Sequence, residues 1–87
     1  NINYLMGHAP SDESIERIKK KTLSVKGVKG FNDVNAHYVG SYIHVEVHVE
    51  VDKKLSTLKS HDIGKEVQFA VEKLDDVDKA FIHIDPV

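Results

Sequence analysis

An α+β sandwich of two layers, with elements in the order helix, strand, strand, helix, strand, is the fold this sequence predicts. The stretch from Tyr42 to Asp52 alternates strictly. Ile43, Val45, Val47, Val49 and Val51 fall on one parity, and His44, Glu46, His48 and Glu50 on the other. That is the period of a strand with one oily and one polar face. Two other segments, opening at Ser11 and Ser56, repeat apolar residues at three- and four-residue steps behind a capping residue. Helices of this kind must cover the oily face of a sheet, and the chain of 87 residues is long enough for one small domain only.

Residues 1–10 lack sustained periodicity and are expected to be a lead-in ending in Ala9-Pro10, with the domain proper over residues 11–87. Ser11, Asp12 and Glu13 supply a cap and acids for the positive start of the first helix. Ile15, Ile18, Thr22 and Val25 recur along it, Arg17, Lys19, Lys20 and Lys21 gather toward its negative end, and Gly27 and Gly30 are expected to stop it. A strand follows from about Phe31 to Tyr38, and Gly40-Ser41 turns it back into the histidine strand. Ser56 caps the second helix, whose stripe is Ile63, Val67, Ala70, Val71 and Leu74, with Gly64 costing about 1 kcal/mol relative to Ala and an end by Asp75. The last strand, Lys79 to Ile84, sets Ala80, Ile82 and Ile84 against Phe81, His83 and Asp85, and Pro86 is expected to terminate pairing.

Bulk properties exclude several functions. A formal charge of −2 with interspersed acids and bases offers no basic stripe, so nucleic acid is not an expected partner. No apolar run is long enough to span a membrane. With no cysteine, a metal must be held by His, Asp or Glu. Catalysis is not expected either: there is no Cys, no G-x-S-x-G elbow, no HExxH and no phosphate loop. Asn1 in place of an initiating Met is read as the start of a fragment of a longer protein. A core this thin gains from a metal or a partner subunit.

Lys, Thr and Ser are the ordinary occupants of an exposed strand face, whereas His with Glu supplies nitrogen and oxygen ligands for a divalent ion such as zinc. His44 and His48 are roughly 13 Å apart along the strand and cannot share one ion. A site must therefore draw on several elements. The crossover from the second strand through the second helix makes strands two and three parallel, which places His48, His83 and Asp85 at one end. The antiparallel first strand returns Asn32 and Asp33 to that end, and His61, two positions from Ile63, points away from its own core. Asn32 shares parity with Val34 and Ala36 and is expected toward the core side unless the strand starts later. His44 and Glu46 are read as a solvated face, and His8 and His37 as surface residues.

In this order and spacing, YLMGHAP, VKGVKGFNDV, VEVHVEVD, KSHDIGKEV and FIHIDP resemble the cytosolic C-terminal domain of cation diffusion facilitator transporters, over nearly the whole chain. The resemblance implies a copper-metallochaperone-like variant of the ferredoxin-like fold, a position directly after the last membrane helix of the same polypeptide, and a homodimer. In relatives with a zinc site in this domain, the ligands stand where this chain has His48, His83, Asp85 and His61. The last of these typically reaches across the dimer, and the aspartate can bridge two ions. A further histidine ligand stands where this chain has Asn32, whose amide oxygen is a poorer zinc ligand than imidazole. The implied function is a cytosolic regulatory and dimerisation domain of a divalent-cation efflux transporter, binding zinc or another divalent transition metal. The alternatives are a purely structural dimerisation domain without a physiological metal, and a small-molecule-binding ferredoxin-like regulatory module. The segment VDKKLSTLKS lacks the glycine-rich loop that the last of these requires.

Overall fold

The computed structural model describes residues 9–87, so His8 and nearly all of the expected lead-in lie outside the described residues. The elements are α1 (Asp12–Leu23), β1 (Gly30–Val39), β2 (Tyr42–Val51), α2 (Thr57–Glu72) and β3 (Val77–Pro86). They form the expected two layers, with a three-stranded sheet in the order β1-β2-β3. β1 runs antiparallel and β3 parallel to the central β2.

The side-chain oxygen of Ser11 accepts from the Ser14 amide at 3.2 Å and caps α1. Asp12 and Glu13 complement the positive end of that helix, and Lys20 and Lys21 the negative end. Its buried face is Ser14, Ile18 and Thr22. Thr22 remains satisfied at full burial because its hydroxyl donates to the Ile18 carbonyl at 2.9 Å. Ser14 donates to Asp76 Oδ2 at 3.1 Å, and Arg17 donates to the same oxygen at 2.6 Å, so α1 is tied to the loop before β3. The helix ends at Leu23, earlier than the glycines suggest. Ser24 takes the C-cap and its hydroxyl donates to the Lys21 carbonyl at 2.6 Å, which satisfies a terminal acceptor before Gly27 is reached.

Ile43, Val45, Val47, Val49 and Val51 of β2 are almost wholly buried and pack with Ile18 of α1 and Val67 and Val71 of α2. Both helices therefore cover the same face of the sheet, and the even-numbered residues of β2 look outward. Ser56 caps α2 by accepting from the Lys59 amide at 3.1 Å. A Cβ at Gly64 would meet Ile84 Cδ1 at 3.2 Å, so this glycine lets α2 settle close onto β3.

The early start of β3 and the outward turn of Asn32 differ from expectation for one reason, an extra residue in the ladder. β1 is bulged between Phe31 and Asp33, and β3 is bulged opposite Ile43 and His44. The bulged residues are Asn32 and Asp78, and each is turned to the exposed side. Asn32 accordingly does not face the core; Phe31 packs there in its place. Pro86 does not end pairing. It stands opposite Val51, and the Val87 amide donates to the Val51 carbonyl at 2.8 Å. On an edge strand a proline nitrogen can face away from the ladder, so no bond is lost.

Candidate metal centre

The outward face is built in rows by the strand register. His48 lies between Asp33 on β1 and His83 on β3, Glu46 between Asn35 and Phe81, and Glu50 beside Asp85. Parallel neighbours about 4.8 Å apart hold directly paired side chains side by side. The imidazoles of His48 and His83 consequently stack, with centroids 4.6 Å apart and planes within 9°. Glu46, diagonal to His83, brings Oε2 to 2.7 Å from His83 Nε2 and 3.9 Å from His48 Nε2. One donor atom from each of Glu46, His48 and His83 lies within 4.8 Å of the other two. Two imidazoles and a carboxylate at this spacing fit a divalent transition ion whose bonds are about 2 Å, after side-chain adjustments of roughly 1 Å.

Asp85 stands at the edge of this group. Its Oδ2 is 3.6 Å from His48 Nδ1 and accepts from Asn32 Nδ2 at 2.9 Å. The bulge at Asn32 is what allows β1 to reach over β2 to β3. The structure therefore brings together His48, His83, Asp85 and Asn32 of the residues singled out from sequence. His61 is apart from them: its side chain is 64 % exposed near Asp62, and it lines a groove with Gly64, Ile82 and Ile84 on the helical side of the sheet. Glu46 was assigned to a solvated face by sequence reasoning and belongs instead to the cluster. Only its parity with His48 hinted at this, because the contact that places it comes from the register of β3. His44 makes a separate contact, with Nε2 3.0 Å from Asp78 Oδ2.

A family described as the cation efflux protein, cytoplasmic domain, matches residues 10–87. The chain belongs to that family. Among curated proteins, it is 46 % identical over its full length to an uncharacterized transporter of Methanocaldococcus jannaschii, MJ0449, of which it covers 31 %. It is 32 % identical over 86 % of its length to the manganese efflux system protein MneS of Bacillus subtilis, of which it covers 26 %. The chain thus spans about a third or less of the length of these relatives. Among solved structures, a cadmium form of a MamM CTD variant superposes with a TM-score of 0.84 at 27 % identity, covering 87 % of this chain and 96 % of that one. A nickel form of another MamM CTD variant gives 0.85 at 26 % identity, covering 88 % and 99 %. This cation efflux domain accordingly has the ferredoxin-like fold of those structures. Among the described residues no helix is long and apolar enough to cross a membrane.

Proposed function

We propose that this cytoplasmic domain is the dimerising, metal-binding regulatory part of a divalent-cation efflux transporter, with zinc as the ion. The convergence of Glu46, His48 and His83 within 4.8 Å on the outward sheet face carries this reading. His48 and His83 supply neutral imidazole nitrogens and Glu46 an anionic oxygen, a donor set suited to a borderline divalent ion. Asp85 adds a second carboxylate, and Asn32 orients it. His61, remote from these groups within one chain, contributes from the second copy of a homodimer. A divalent ion supplies positive charge between carboxylates of two subunits, so their repulsion falls and the closed arrangement is favoured. Through the chain that joins the domain to the membrane part of the same polypeptide, that closure biases the transport equilibrium. The cadmium and nickel forms of the MamM domain support metal binding on this fold.

Isothermal titration with zinc tests the site. Wild-type chain takes up zinc, and the double variant His48→Ala/His83→Ala loses most of the affinity of this centre. Unchanged affinity in the double variant refutes the assignment. Sedimentation of the same samples should show zinc favouring the dimer.

A second reading, a structural dimerisation domain without a physiological metal, is favoured by one observation. Asn32 satisfies Asp85, and Glu46 satisfies His83, without any ion. Indifference of the melting temperature to zinc would support it.

A further inference from the structure

At the hairpin end of the outward face, the cluster at Glu46, His48 and His83 leaves the side chains of His37, His44 and Asp78 unused. We propose that they form a second site for a borderline divalent transition ion, in which His37 and His44 are the ligands and Asp78 is the carboxylate that orients His44.

His37 and His44 stand directly opposite each other on β1 and β2. Their ring centroids are 6.3 Å apart, with planes tilted by 54°. An ion about 2 Å from a ring nitrogen is roughly 3 Å from that ring's centroid, so two imidazoles sharing an ion have centroids about 5–6 Å apart. His37 is exposed, so its ring has room to rotate toward His44.

His44 is held from two further sides. Its Nε2 lies 3.0 Å from Asp78 Oδ2, and the Phe81 ring meets it edge-on at 6.4 Å. A carboxylate on one ring nitrogen fixes the orientation and tautomer of a ligating imidazole and leaves the other nitrogen, here Nδ1, to bind. Asp78 is available for this role because of the bulge in β3. Ile43 pairs with Val77 and His44 with Lys79, which leaves Asp78 as the extra residue, turned outward. Bulges are rare in parallel ladders and serve to re-aim a side chain. The ladder irregularity and the cross-strand histidine pair are independent features, and both lead to the same spot. His37, His44, Glu46, Phe81 and His83 line one concavity, which leaves room for water to complete the coordination. Imidazole ligands select zinc, nickel or copper(II) over magnesium, calcium or manganese. His44 and His48 are roughly 13 Å apart along β2, so one ion cannot bind both.

Zinc titration of the 87-residue chain, followed by the imidazole 15N resonances, tests the second site without reliance on the first. In His48→Ala/His83→Ala, residual binding of about one zinc per chain should perturb His37 and His44. Adding His37→Gln should abolish it. Asp78→Asn in that background should weaken it by about 10–100-fold, with the circular dichroism spectrum unchanged. Absence of any binding to His48→Ala/His83→Ala up to millimolar zinc overturns the site, and so does residual binding indifferent to His37→Gln. Affinity unchanged by Asp78→Asn removes the role given to that carboxylate. Failure of the centre at His48 and His83 would look different: all zinc binding would survive the double alanine variant and disappear with His37→Gln.

Discussion

Replacing Glu46 by Gln keeps the shape of a side chain whose Oε2 lies 2.7 Å from His83 Nε2 and removes the only carboxylate of the three-residue group. Glu46 is 43 % exposed, so in metal-free protein the change should cost at most about 1 kcal/mol. With zinc the consequence is larger. At a free concentration one hundred times Kd, a ligand that binds only the folded state adds about 2.7 kcal/mol. In a domain of this size that raises Tm by about 10–20 °C. Groups that merely support a ligand are worth about 10–100-fold in affinity, so loss of a ligand itself should cost about 100-fold. The same zinc concentration then only equals the variant's Kd, which leaves about 0.4 kcal/mol and an upward shift of about 2–3 °C. Differential scanning calorimetry with and without zinc reads both numbers. Equal zinc-induced shifts in wild type and Glu46→Gln would refute the assignment of Glu46 as a ligand. A large drop in metal-free Tm would show that its role is structural.

Other substitutions separate the core from the site. Val47→Ala, at a wholly buried position in the middle of the central strand, should cost about 2–3 kcal/mol in urea unfolding and leave zinc stoichiometry unchanged. Gly27→Ala should cost about 1–3 kcal/mol, because φ is +98° and the new Cβ would lie 2.6 Å from Ile63 Cδ1. Shortening Ile63 to Val in the same chain should recover only the part due to that clash, and complete recovery would show that the backbone carries no strain. Asn32→His puts an imidazole beside Asp85 and His48 and should tighten zinc binding by about tenfold in calorimetric titration. Unaltered affinity would place residue 32 outside the site.

Most of the fold was legible because parity and capping are local. Alternation in β2 fixed which side chains face the core, and Ser11 and Ser56 marked both helix starts. The two bulges were not legible, since alternation counts positions and a bulge inserts one without any mark in composition. They account for the early start of β3 and for the outward turn of Asn32. The end of α1 was misplaced because Ser24, unlike glycine, is a weak stop signal. In the candidate site, chain topology was enough to gather His48, His83 and Asp85 at one end of the sheet. Glu46 required the register of β3 against β2, a long-range property that its neighbours in sequence do not encode. His61 was correctly directed away from its own core, but the distance from the helical layer to the outward face emerges only when the layers are assembled.

Crystals grown with zinc and measured at the zinc absorption edge test the metal-centre assignment most directly. An anomalous peak should lie about 2 Å from imidazole nitrogens of His48 and His83 and from a carboxylate oxygen of Glu46. Zinc-saturated crystals in which no peak touches those three side chains would contradict it.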